Sequence, residues 1–206
     1  LGEMATRRAP RRPAAQCLFE VGPVHLGHTR LSVIDVAGSP QPMSTADGRQ
    51  TVVFNGEIYN FRALRDELAR GGYAFRTDGD TEVLLAAWRA WGEALVGRLR
   101  GMFAFALWDA PARTLFAARD HLGVKPFHYA WDGATFVFGS ELKALLEHPA
   151  LRRDLHELCR QAAGIRPGNS RASGRRGQPA AYRIRQRGVR PRHRRVRPSL
   201  RLHRVG

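Results

Sequence analysis

The chain has 206 residues, a formal net charge of +16, 43% hydrophobic residues and two cysteines. That length allows one domain of ordinary size with tails. It contains no apolar run near the roughly 18 residues of a membrane-spanning helix, no secretory h-region, and no metal-type or disulfide-type spacing for Cys17 and Cys159.

The charge is uneven. Residues 1–17 carry four Arg and one Glu, residues 18–158 carry 13 Arg, two Lys and 17 acids, and residues 159–206 carry 15 Arg with no Asp, Glu or Lys. The basicity therefore belongs to the ends, and the middle is nearly neutral and long enough to bury a core.

Taken in chain order, Val21 to Ile34 reads as a strand, a turn at Gly27 and more strand. Val36 to Arg49 is loop, broken by Gly38, Pro40, Pro42 and Asp47-Gly48. Thr51 to Phe54 is a short apolar run, expected to be a buried strand with a tight turn at Asn55-Gly56. Ile58, Phe61, Leu64 and Leu68 recur at helical spacing until Gly71-Gly72. Thr77 or Asp80 is the expected cap of a second helix, whose apolar positions are Val83, Leu84, Ala87, Trp88 and Trp91. A further amphipathic piece covers Ala94 to Leu99. The period then changes to that of strands. Phe103 to Trp108 and Thr114 to Ala118 flank Asp109-Ala110-Pro111-Ala112, and Phe127 to Trp131 and Thr135 to Phe138 flank the hairpin signal Asp132-Gly133. Leu142, Leu145 and Leu146 indicate a short final helix. Strands, then helices, then two hairpins argue for an α+β fold with antiparallel sheets. Trp88, Trp91, Phe103, Phe105 and Trp108 are expected in the core.

The ends read differently. Residues 159–206 hold one aromatic, Tyr182, and show no apolar periodicity, so a disordered Arg-rich tail is expected there. Residues 1–17 are likewise expected to be unstructured. Arginine with almost no lysine, set among Ala, Gly and Pro, resembles a GC-rich coding sequence read out of frame. An uninterrupted reading frame through both ends would contradict that origin.

Polar groups cluster where strands end: His28-Thr29-Arg30-Leu31-Ser32, Asn55-Gly56-Glu57-Ile58-Tyr59-Asn60, Thr77-Asp78-Gly79-Asp80-Thr81-Glu82, and Ala118-Arg119-Asp120 through Pro126. Each is weak alone. Asn-Gly after a strand is usually a turn, Asp80 is usually a helix cap, and Arg30 is usually a surface charge. His28 and His121 read as hydrogen-bonded strand or loop histidines, and Ala118 to Phe127 as a structural turn. Together, the ordered strings GHTRLSVID, QPM, VFNGEIYN, DTEVLL, GMFAFALWD, ARDHLGVKPF and SELKAL resemble the glutaminase domain of class II glutamine amidotransferases, in its asparagine synthetase branch. The likeness spans about residues 19–158.

The resemblance implies an N-terminal-nucleophile hydrolase, an αββα sandwich, here expected to lack its first strand. In that family a cysteine at the mature N-terminus attacks the side-chain amide of glutamine, with its own α-amino group as base. By resemblance Asn55 and Gly56 form the oxyanion hole. Arg30 holds the substrate carboxylate, Asp80 and Glu57 meet its ammonium, and backbone groups of Leu31 and Val33 complete the pocket. Ammonia passes to a synthetase domain in the same chain, which uses ATP and Mg²⁺ to amidate aspartate. A cytoplasmic location is expected, and the resemblance allows a homodimer in the intact family. Departures accompany the match. The family's Met-Cys-Gly-Ile start and its Ser-Gly-Gly-x-Asp-Ser loop are not in this sequence, and Cys17 is internal, so glutaminase activity is not expected of these residues alone. The other readings are a catalytically dead glutamine-binding scaffold and an Arg-rich nucleic-acid-binding protein. Specific nucleic-acid recognition is not expected, because no nucleic-acid module precedes the basic tail.

Overall fold

A computed structural model describes residues 15–30, 40–131, 134–149, 180–185 and 199–201. Its centre is a six-stranded antiparallel sheet. The strands in chain order are β3 (Met43–Ser44), β4 (Gln50–Ile58), β5 (Gly101–Asp109), β6 (Thr114–Arg119), β9 (Ala180–Arg185) and β10 (Ser199–Arg201), and across the sheet they run β10-β9-β6-β5-β4-β3. Two hairpins stand apart from it: β1 (Ala15–Val21) with β2 (Val24–Arg30), and β7 (His128–Trp131) with β8 (Phe136–Gly139). The helices are α1 (Phe61–Arg70), α2 (Asp80–Trp91), the short α3 (Leu95–Arg98) and α4 (Leu142–Leu146).

The strand sequences explain the layering. Along β5 the aromatics and aliphatics Phe103, Phe105 and Leu107 alternate with Ala104, Ala106 and Trp108, so both faces are apolar. The first set packs against Leu64 and Leu68 of α1 and Val83, Leu84 and Ala87 of α2. Phe103, Phe105 and Phe116 are fully buried there, each worth about 1.5–3 kcal/mol over exposure. The second set packs against Leu26 of β2 and Phe127 and Tyr129 of the other hairpin region. Small alanines on that face let the second β layer approach. Ala130, Val137 and Leu145 then seat α4 on the outer side of β7 and β8. The order is helix, sheet, sheet, helix, as the sequence led us to expect.

Several local expectations are corrected. The first turn is Gly22-Pro23, with Gly22 at φ +56°, and Gly27 lies within β2 opposite Leu18. Pro23 and the positive φ available to glycine decide this over the polar break at Gly27-His28. Asn55-Gly56 is no turn, because β4 continues through both residues to Ile58. Residues 15–17, expected to be unstructured, open β1. Within the tail, residues 180–185 pair with β6 and residues 199–201 with β9, while 1–14, 151–179 and the rest of the tail lie outside the described residues. The alternation in Ala-Tyr-Arg-Ile-Arg is a strand signal that overall composition hid. The Asp132-Gly133 turn also lies outside the described residues.

Two glycines set how closely β4 and β5 meet. Gly56 has φ +147° and Gly101 has φ +151°. A Cβ on Gly56 would overlap the carbonyl oxygen of Met102 and come within 2.7 Å of Phe103 Cα, and one on Gly101 would overlap the carbonyl oxygen of Glu57. Gly101→Ala is therefore expected to cost about 2–3 kcal/mol or more, against about 1 kcal/mol for Gly48→Ala, where φ is +67° but the space is open. Urea denaturation of the two variants checks this, and equal losses would show that the strand contact is not tight.

Candidate functional site

A cleft of about 680 Å³ opens beside the centre of β4, between β2 and the segment joining β8 to α4. Asn55 and Gly56 line one wall, Asp80 and Thr81 at the start of α2 line another, and Ser140 and Glu141 close the far side. The site is thus assembled from elements far apart in sequence by the packing of hairpins and helices on one sheet.

Asn55 is half-buried, and its Nδ2 donates to Ser140 Oγ at 3.4 Å. Gly56 follows it in a conformation that only glycine adopts readily. The neighbouring strand at Met102 constrains Gly56. Glu57 is exposed, and it lies near enough to Asp80 to influence that group's ionisation.

Asp80 is the first residue of α2, but Gly79 occupies the N-cap position and no side chain caps the helix. The carboxylate instead accepts the N–H of Ile58 at 3.0 Å, bridging the helix to β4. Burial pushes the Asp80 carboxyl above the ordinary carboxylate range, and Glu57 adds to the rise, although the Ile58 N–H and the backbone at Asp80 and Thr81 oppose it. The loop before Asp80 is pinned by the buried Glu82, which accepts the N–H of Thr77 at 2.7 Å and its hydroxyl at 2.8 Å, together with the N–H of Arg76. Thr77 therefore donates to Glu82 and does not cap the helix as expected.

Arg30 ends β2 opposite Ala15, and its side chain lies outside the described residues, as do Leu31 and Val33. The neighbouring His28 and Thr29 line the cleft, so the strand leads to its rim. Three contributors were not singled out as site residues from the sequence. Gln41 accepts the Phe54 N–H through Oε1 at 2.6 Å and donates to Thr81 Oγ1 at 3.5 Å, tying β4 to α2 at the cleft wall. Ser140 and Glu141 are the others. All three sit inside quoted motifs, QPM and SELKAL, and that was the signal available. The ARDHLGVKPF segment is a structural turn, as expected. Burial alone would raise the Asp120 carboxyl, but the N–H groups of Lys125, Val124, Phe103 and Leu122 outweigh it and hold the group low.

Cys17 is exposed on β1, and Cys159 lies outside the described residues. Among the described residues no group of three or more His, Cys, Asp or Glu could hold a metal, and no helix is long and apolar enough to cross a membrane.

Residues 1–163 match the family model described as a glutamine amidotransferase domain. Asparagine synthetase [glutamine-hydrolyzing] 3 of Bacillus subtilis is 50% identical over 131 residues, covering 63% of this chain and 21% of that protein. Asparagine synthetase [glutamine-hydrolyzing] 1 of the same organism is 45% identical over 136 residues, covering 66% and 22%. The chain thus spans about a fifth of the length of these curated relatives. Among solved structures, the glutamine phosphoribosylpyrophosphate amidotransferase of B. subtilis, complexed with ADP and GMP, superposes with a TM-score of 0.50 at 26% identity, covering 59% of this chain and 28% of that one.

The raised Asp80 carboxyl gives a stability prediction. An acid whose folded pKa lies above its unfolded value costs stability when charged. The cost is fully present above the folded pKa and is relieved as pH falls through it toward about 3.9. Asp80→Asn keeps an acceptor for the Ile58 N–H and removes the half-buried charge. Its denaturation midpoint at pH 7 is expected to equal or exceed that of the parent chain, with any gap closing in acid. A markedly less stable variant at pH 7 would show that the charge supports the fold.

Proposed function

Because the chain belongs to the family of glutamine amidotransferase domains, we propose that its cleft binds L-glutamine and presents the side-chain amide for hydrolysis. The observation that carries this reading is the convergence on one cleft of two neighbouring N–H donors, at Asn55 and Gly56, with a half-buried carboxylate, Asp80. Amide hydrolysis passes through a tetrahedral oxyanion, and donors fixed before the reaction stabilise that charge without reorganising. A free amino acid also carries an ammonium. A half-desolvated carboxylate pairs with it more strongly than an exposed one would. Glu57 supplies a second negative charge nearby, while Arg30 at the end of β2 meets the substrate carboxylate, with backbone groups of Leu31 and Val33 alongside.

The chemistry asks for a thiol nucleophile. The sulfur of a cysteine at a mature N-terminus adds to the amide carbon, and its α-amino group takes the thiol proton. The oxyanion forms against Asn55 Nδ2 and the Gly56 N–H. Its collapse expels ammonia, and water then cleaves the thioester to glutamate. Cys17 does not meet this need, because it is internal and so has no α-amino group. On the same reading aspartate is the ammonia acceptor, ATP and Mg²⁺ serve a separate synthetase domain, and the setting is cytoplasmic.

Isothermal titration calorimetry with L-glutamine tests the binding step directly. Asp80→Asn is expected to weaken binding by at least about 30-fold, the usual cost of removing one partner from a desolvated charge pair. Affinity of the parent chain should be full above the raised Asp80 pKa and fall as pH drops through it, because protonation removes the charge that the ammonium requires. Unchanged affinity in Asp80→Asn would overturn the assignment.

A further inference from the structure

The SELKAL motif has no role in the reading above, yet the structure brings its first residue to the oxyanion donor. Ser140 lies between β8 and α4, and its hydroxyl oxygen accepts from Asn55 Nδ2 at 3.4 Å. Its position is fixed from both sides. Before it, Phe138 of β8 stacks on Phe127 with ring centroids 5.3 Å apart, and a Cβ on Gly139 would come within 3.0 Å of Leu145 Cδ1. After it, the fully buried Leu145 anchors α4, and the Ala144 N–H donates to the Glu141 carbonyl at 3.1 Å.

We propose that Ser140 is a positioning residue for the amide-recognition arm of the site, a role that rests on the glutamine reading. A carboxamide NH₂ has two hydrogens pointing in different directions, and its oxygen is an acceptor. Rotated by half a turn, Asn55 would present that oxygen to the substrate carbonyl, where two acceptors repel. A hydroxyl donates as well as accepts, so Ser140 does not choose between the two rotations; it engages one hydrogen of the NH₂ and restrains where the carboxamide sits. The other is left for the substrate carbonyl and, later, for the oxyanion. A bond of 3.4 Å is long, and it is of the kind that tightens when a ligand engages the same group. Gly56 needs no such support, since its N–H direction is set by the backbone and by Met102 and Phe103 opposite. The side-chain donor is the one free to move, and it is the one that Ser140 restrains.

The test uses the chain as it stands and two ligands. L-Glutamine engages the amide arm, and L-norvaline, with the same α-carboxylate and ammonium but no amide, does not. The ratio of their affinities therefore reports the arm alone. Ser140→Ala is expected to lower that ratio by about three- to tenfold, the worth of one orienting hydrogen bond, and to leave norvaline binding unchanged. Ser140→Thr keeps a hydroxyl and should restore most of the ratio. In an Asn55→Ala background Ser140→Ala should have no further effect, because the group it orients is gone. A lowered ratio in Asn55→Ala with an unchanged one in Ser140→Ala would overturn this inference and leave the glutamine reading intact. Additive effects of the two substitutions would also overturn it. Equal affinity of the parent chain for the two ligands would overturn the glutamine reading, and this inference with it.

Discussion

The site depends on the close approach of β4 and β5 at two glycines. Gly56 and Gly101 both occupy φ values near +150°, and each leaves room for a carbonyl of the opposite strand where any other residue would place a Cβ. The pairing Gly56↔Phe103, Glu57↔Met102, Ile58↔Gly101 is held tight over the three positions that follow Asn55. Every later feature inherits that geometry. The Ile58 N–H is placed to meet Asp80, the Phe103 N–H is placed to meet Asp120, and Asn55 is placed to meet Ser140. A one-residue slip would turn Asn55 from the hairpin face to the helix face, so register and function are fixed together.

The electrostatic design follows from burial. Glu82 and Asp120 are almost wholly buried carboxylates surrounded by backbone N–H donors, and they shape loops. Asp80 differs from Asp120. Desolvation is the largest single influence on both, but the N–H donors outweigh it at Asp120 and not at Asp80, whose carboxyl is held up. A carboxylate that the fold itself leaves incompletely compensated is suited to a ligand that brings a positive charge. The proposed binding role of Asp80 rests on this contrast with Asp120, which also lies in a resemblance motif.

Much of this was legible in the sequence, through two different signals. Hydrophobic period placed β5, β6 and α2 within a residue or two, because each buries a face strongly enough to leave its period in the sequence; it also found α1, but counted Ile58, the last residue of β4, into it. Motif order placed Asn55, Gly56 and Asp80 at one cleft, which no local pattern could do, since they meet only through tertiary packing. The misses share a cause. Asn55-Gly56 has the composition of a turn, yet strand pairing with β5 overrode it. Asp80 and Thr77 have the composition of caps, yet Ile58 and Glu82 claimed them. The strand at residues 180–185 was hidden because arginine content outweighed a short alternation, whereas pairing with the otherwise open edge of β6 supplies the stabilisation. Ser140 and Gln41 act through partners far along the chain, and spacing carries no trace of such contacts.

The most direct test of the central claim is a crystal structure of the chain with L-glutamine bound. The account predicts the substrate carboxamide oxygen within hydrogen-bond distance of Asn55 Nδ2 and the Gly56 N–H, and the ammonium against Asp80. Glutamine bound in the reverse sense, with its α-carboxylate at Asn55 and Gly56, or bound outside this cleft, would contradict it.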